Sequence, residues 1–91
     1  MDVAEKIGER ATGAGIRVAA AESLTGGQVC TVLGATPGAS EWFAGGVVAY
    51  TMETKNLILG VPEDIDPCSA ECARTMAAGV RDALEVDAAV A

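Results

Sequence analysis

Ala21-Glu22-Ser23-Leu24-Thr25-Gly26-Gly27 joins two stretches of different periodicity, and the fold turns on how it is read. Before it, Ile16 to Ala21 is apolar except for Arg17, which predicts a buried strand. After it, Val29, Val32 and Leu33 share one face of a helix expected from about Thr25 to Leu33. A strand-to-helix turn sets its side chains at the carboxyl edge of a sheet and offers unpaired backbone N–H groups to the same space. Glycines let those groups approach a ligand closely. A hydroxyl beside free N–H donors suits nucleophilic attack with an oxyanion hole, or anion binding alone. The plainer alternative is a tight turn with Ser or Thr as helix cap.

Working outward, Val3, Ala4, Ile7 and Ala11 recur at helical spacing, so residues 2 to about 12 predict a first helix capped by Asp2 and stopped by Gly13 and Gly15. Beyond the central turn, Gly34, Pro37 and Gly38 predict a loop. Glu41 to Tyr50 reads as a second strand, with Gly45 and Gly46 marking a bulge or a close backbone approach. A short helix or turn follows from about Thr51 through Lys55 to Leu59, ended by Gly60 and Pro62. Ser69 caps a longer helix whose inner stripe is Cys72, Ala73, Met76, Val80, Ala83 and Leu84. The final apolar residues predict the start of a third strand. Apolar strands alternating with amphipathic helices define an α/β fold with helices on both faces of a sheet.

Composition narrows the function. The chain has 91 residues, one Trp, one Tyr, one Phe and a formal charge of −7. One domain is the most this length holds. With six Lys and Arg in all and no basic run, neither nucleic acid nor an anionic membrane surface is an expected partner. No apolar stretch approaches the length of a spanning helix, and the N-terminus does not read as a signal peptide. Three cysteines, Cys30, Cys68 and Cys72, fit reduced thiols in a cytoplasmic protein. We expect Cys72 buried and Cys68 near the surface. There is no histidine, so a metal site is not expected, and any general base must be Lys, Tyr, Asp or Glu. A thin core of Ala and Val, with apolar strands left open, predicts a domain incomplete at its C-terminus, a homo-oligomer, or both.

If the two strands run parallel, their carboxyl ends share one edge, where α/β folds place ligands. Tyr50 ends the second strand there as Ser23 follows the first, and Lys55 lies five residues on, within reach of Ser23. A lysine near a phenol and a serine can activate either, or act as base itself.

The segments Ala21 to Gly27, Pro37-Gly38-Ala39-Ser40, Gly45-Gly46-Val47-Val48-Ala49-Tyr50 and Lys55 with Leu59-Gly60-Val61 occur together, in this order and spacing, in one family. The sequence resembles the C-terminal domain of the competence/damage-inducible protein CinA, the nicotinamide-nucleotide amidohydrolase family. The resemblance spans nearly the whole chain. It implies a three-layer α/β/α fold, of which this chain is the first half. It also implies hydrolysis of the carboxamide of nicotinamide mononucleotide to nicotinate mononucleotide and ammonia, without metal or organic cofactor. By the same resemblance Ser23 matches the nucleophile, and Tyr50 and Lys55 match the residues that assist proton transfer. Thr25, Gly26 and Gly27 match the loop whose backbone faces the substrate amide, and Gly45 and Gly46 are counted with the substrate-binding positions. Two departures stand out. Thr51-Met52 replaces the family's usual Ser-Asn, and a Thr-Gly-x-Ala-Gly-Pro loop that follows the third strand in the family lies beyond Ala91. The competing expectation is a non-catalytic nucleotide- or protein-binding module, with Ser23 as a cap and the glycines as anion-binding turns.

Overall fold

A computed structural model describes residues Met1–Ala91. Helix α1 (Val3–Ala14) leads into strand β1 (Val18–Glu22), then helix α2 (Gln28–Gly34), a 3-10 turn at Ala39–Glu41 and strand β2 (Phe43–Val48). Helices α3 (Met52–Leu59) and α4 (Ala70–Leu84) precede strand β3 (Ala88–Val90). The three strands form one sheet in the order β2-β1-β3, with both pairs parallel.

Strand β1 is Val-Ala-Ala-Ala-Glu and is buried at every residue. Its side chains alternate between faces, as strand geometry requires. Val18 and Ala20 join Ala4, Ala11, Leu33 and Trp42 in one core. Ala19 and Ala21 join Leu59, Val61, Cys72, Met76 and Val80 in the other. Helices α1 and α2 therefore cover one face and α3 and α4 the opposite one, giving the expected three α/β/α layers. Alanines along the central strand let both helical layers approach closely.

Glycine completes this fit at two places. A Cβ on Gly79 would lie 2.2 Å from the Leu59 carbonyl oxygen, so α4 crosses the end of α3 in backbone contact. A Cβ on Gly46 would lie 2.4 Å from both the Ala20 carbonyl oxygen and the Cys30 sulfur. The register between β1 and β2 shifts between Val18 and Ala19, which pair with Phe43 and Gly45. Ala44 is thus the extra residue of a bulge, and Gly45 beside it has φ +127°. Both sequence readings of this glycine pair, bulge and close approach, hold as packing features.

Element boundaries differ from the periodicity reading for local reasons. Helix α1 runs through Gly13 and ends at Gly15, whose φ of 69° closes the helix while Ile16 N–H reaches back to Ala11 O at 3.0 Å. That bond ties Ile16 to the helix end, so β1 begins only at Val18. Helix α2 begins at Gln28 and not at Thr25, because Gly26 and Gly27 have φ of 61° and 112°. Strand β2 is shorter than Glu41 to Tyr50 and is half exposed, being a sheet edge. Ala83 and Leu84 are exposed beyond the inner stripe of α4. The caps at Asp2, Thr51 and Ser69 each accept an N–H three residues on.

The Gly79 contact has a measurable consequence. Because the clash is with backbone, Gly79→Ala should lower unfolding free energy by about 1–3 kcal/mol. Gly13 is helical, and a Cβ there would meet nothing within 4 Å, so Gly13→Ala should be neutral or stabilising by up to about 1 kcal/mol. Urea denaturation of the two variants checks both.

Candidate functional site

The strand order reverses around β1. The chain leaves β1 through α2 to reach β2 on one side, then returns through α3 and α4 to β3 on the other. Ligands of open α/β sheets bind where such a reversal leaves a crevice at the carboxyl ends. Ser23 follows the last residue of β1 and sits there.

Lys55, in the first turns of α3, points into the same place. Its Nζ donates to Ser23 Oγ at 2.9 Å and to the Tyr50 carbonyl at 2.8 Å. Ser23 Oγ also lies 3.5 Å from the Tyr50 carbonyl. Lys55 is 2% exposed and forms no ion pair, the one salt bridge in the protein being Arg81–Asp82. A buried amine with no carboxylate partner is costly to keep, and its two contacts hold it against the serine. Helix α3 is anchored by Thr51, whose hydroxyl accepts the Thr54 N–H at 3.2 Å, and closed by Gly60 in the left-handed region.

Tyr50 enters this cluster through its backbone alone. Its side chain is 64% exposed, and its phenol makes no hydrogen bond to Ser23 or Lys55. The structure therefore joins the Ser23 and Lys55 side chains and leaves the Tyr50 side chain outside that contact.

Glu22 is the residue that sequence reasoning passed over. It is 3% exposed, and its carboxylate is fully engaged. Oε1 accepts from Thr25 Oγ1 at 2.6 Å, Gly27 N at 3.2 Å and Val29 N at 2.8 Å, and Oε2 accepts from Cys30 N at 2.8 Å. Burial by itself pushes the Glu22 carboxyl up, but the hydrogen bonds from Thr25, Cys30 and Val29 outweigh it and hold the pKa at about 2. Burial, then the hydrogen bond and charge of Glu22, push the neighbouring Cys30 thiol up to about 11. The signal was present in the sequence: a lone acid ending an apolar strand just before a helix start, where a carboxylate meets unpaired N–H groups.

This arrangement revises the donors assigned to the turn. The Gly27 N–H is spent on Glu22, and the Gly26 N–H donates to the Ser23 carbonyl at 3.1 Å. Backbone N–H groups of Ser23, Leu24 and Thr25 have no partner within the protein. Gly45 and Gly46 lie within β2, where packing against β1 and α2 accounts for them. They do not reach the Ser23 cleft.

That cleft encloses about 340 Å3 between the turn on one side and Pro67, Met76 and Val90 on the other. A larger groove of about 560 Å3 runs between α1 and residues Thr36 to Trp42. Its charged side chains are Glu5, Glu9 and Glu41, and neither Ser23 nor Lys55 lines it. Cys68 is exposed, Cys72 buried and Cys30 between them, all as free thiols. No helix is long and apolar enough to cross a membrane.

A parallel α/β/α sandwich with a serine–lysine contact at the carboxyl end of its central strand defines the class. The family described as CinA C-terminal domain matches residues 1–91, and the chain belongs to that family. It is 43% identical over 83 residues to a putative competence-damage inducible protein of Desulforamulus reducens, covering 87% of this chain and 20% of that one. It is 47% identical over 74 residues to a CinA-like protein of Myxococcus xanthus, covering 77% and 18%. The chain thus spans about a fifth of the length of the curated relatives it matches. Among solved structures, a CinA superfamily protein from Escherichia coli superposes with a TM-score of 0.90 at 27% identity, covering 94% of this chain and 52% of that one. A competence or damage-inducible protein from Enterobacter asburiae gives 0.89 at 32% identity, covering 94% and 57%.

The Glu22 carboxyl titrates in the folded protein at about 2, below its ordinary value of 4.5. Its stabilisation is complete above the unfolded pKa and is lost as pH falls through the folded one. The stability gap between wild type and Glu22→Gln, measured by urea denaturation, should be widest near neutral pH and should narrow as pH falls from about 4.5 toward 2. A gap independent of pH would contradict the assignment. Limited alkylation with iodoacetamide near neutral pH should modify Cys68 first, with Cys30 and Cys72 reacting slowly, as peptide mapping will register.

Proposed function

We propose that the family site in this chain hydrolyses an amide through Ser23, with the carboxamide of nicotinamide mononucleotide as substrate. The observation that carries this reading is the 2.9 Å contact between Lys55 Nζ and Ser23 Oγ, made by a buried lysine with no acidic partner. A lysine held against a serine hydroxyl in this way is placed to serve as its general base.

In the first step Ser23 Oγ attacks the carboxamide carbon and its proton passes to Lys55 Nζ. The negative charge gathers on the carboxamide oxygen, where the free N–H groups of Leu24 and Thr25 are the available donors. The tetrahedral intermediate collapses with cleavage of the C–N bond. The proton held by Lys55 goes to the leaving nitrogen, which departs as ammonia. Water then attacks the Ser23 ester, Lys55 takes its proton and returns it to Ser23 Oγ, and the carboxylic acid is released. The Tyr50 carbonyl fixes the amine between these transfers. The Tyr50 side chain makes no hydrogen bond to Ser23 or Lys55, so proton transfer rests on Lys55.

Association with a second copy belongs to this reading. Both outer strands of the sheet are open, and Leu24, Val48, Tyr50 and Val90 are exposed at or near its carboxyl edge. A partner subunit there would cover apolar surface beside the cleft. Analytical sedimentation tests it directly: a monomer at all concentrations would contradict it.

Ammonia release from nicotinamide mononucleotide, followed with a coupled assay, tests the reaction. Ser23→Ala should fold normally and lose at least about 100-fold in turnover, because loss of a nucleophile costs far more than loss of a cap. Lys55→Met should lose roughly 10²–10⁴-fold. Retention of more than about a tenth of wild-type turnover by Ser23→Ala, less than even general acid–base contributions would cost, would rule out the nucleophile. Binding of the nucleotide without ammonia release by the wild type would favour a binding module.

A further inference from the structure

We infer that Glu22 is the positioning residue for Ser23, acting through the turn that carries it, and that it selects which backbone donors face the reaction. This rests on the serine mechanism proposed above and adds to it a role for a residue whose carboxylate is engaged by the turn and makes no hydrogen bond to Ser23 or Lys55.

A simple helix cap does not account for the geometry. The residue in the capping position, Gly27, has no side chain and makes no side-chain cap bond. The Thr25 hydroxyl, well placed to cap, instead donates to Glu22 at 2.6 Å. The capping acceptor is thus borrowed from the end of the central strand, and it takes Gly27, Val29 and Cys30 together. Gln28 N–H is satisfied by the Thr25 carbonyl at 3.2 Å. Every donor that α2 would present to an anion is consequently occupied by the protein itself. The donors left over are those immediately around the nucleophile, at Ser23, Leu24 and Thr25. Because β1 is buried at every residue, the carboxylate hangs from the most rigid part of the sheet and passes that rigidity to a turn containing two positive-φ glycines.

The effect of neutralising Glu22 separates this role from a purely electrostatic one. A negative charge one residue from the serine opposes the build-up of further negative charge, so removing it would speed the reaction if charge alone mattered. If position matters, Glu22→Gln sets an amide N–H2 against at least one backbone N–H and slows it. A displacement of about 1 Å at a reacting group can cost about 100-fold.

The experiment compares wild type, Glu22→Gln and Thr25→Val in three readouts. Modification of Ser23 by a small fluorophosphonate, located by peptide mapping, reports nucleophilicity without an amide substrate. Amide hydrogen exchange reports the turn. Steady-state kinetics with nicotinamide mononucleotide separates kcat from KM. We expect Glu22→Gln to exchange the Gly27, Val29 and Cys30 amides faster while α4 is unchanged. We also expect it to label at least about tenfold more slowly and to lose kcat with KM little altered. Thr25→Val, which removes a single bond from an exposed side chain, should shift the same readouts to a lesser degree, and decides the matter if Glu22→Gln does not fold. Labelling of Glu22→Gln at or above the wild-type rate, or unchanged exchange in the turn, overturns the inference while leaving Ser23 as nucleophile. Wild-type protein that neither labels at Ser23 nor releases ammonia overturns the serine mechanism and this inference with it.

Discussion

One carboxylate organises the functional end of this protein. Glu22 ends the central strand, and its two oxygens collect a hydroxyl and three backbone N–H groups from the residues that follow. A buried carboxylate without partners is prohibitively costly, and one with several N–H donors is held ionised. Folding of the turn therefore favours the ionised form of Glu22. Remove the carboxylate and the start of α2 loses its acceptors and the Thr25 hydroxyl loses its partner. Conversely, the turn gives Glu22 the only surroundings in which a charged group tolerates the end of a fully buried strand.

The second constraint is steric. Alanines in β1 and glycines at 46 and 79 bring backbone to backbone where larger side chains would hold the layers apart. Close layers place α3 near enough for a lysine to cross beneath the sheet edge and meet Ser23. The site chemistry thus depends on core residues that never approach it. Lys55 is buried because Leu59 and Val61, a turn further on, are anchored in the core with Val80 and Met76.

Much of this was legible in the sequence, for physical reasons. Apolar runs broken by glycine and capped by Asp, Thr or Ser locate strands and helices because those patterns reflect burial and unpaired N–H groups. Ser23 and Lys55 were legible as a pair because parallel strands bring their carboxyl ends to one edge. The boundaries around the turn were not, since periodicity cannot reveal that Gly26 and Gly27 adopt positive φ and delay the helix. The position of Glu22 at a strand end was legible, but its partners were not. A charged residue at the end of an apolar strand reads as the strand's exit into solvent, whereas here its partners extend downstream as far as Cys30. That Tyr50 meets Lys55 through its carbonyl was not legible, because strand alternation says which residue ends a strand but not whether its side chain or its carbonyl faces the neighbour.

The amide-hydrolase reading makes a chemical demand that structure alone does not impose: an ester on Ser23 during turnover. Full-length protein mixed with nicotinamide mononucleotide, quenched in acid within the first turnovers and digested, can be searched for that ester by mass spectrometry. We expect the peptide containing Ser23 to carry the mass of the acyl portion of the substrate, and the Lys55→Met protein to accumulate none. Ammonia release with Ser23 unmodified at every quench time, or with the acyl group on another residue, would contradict a serine nucleophile at this site.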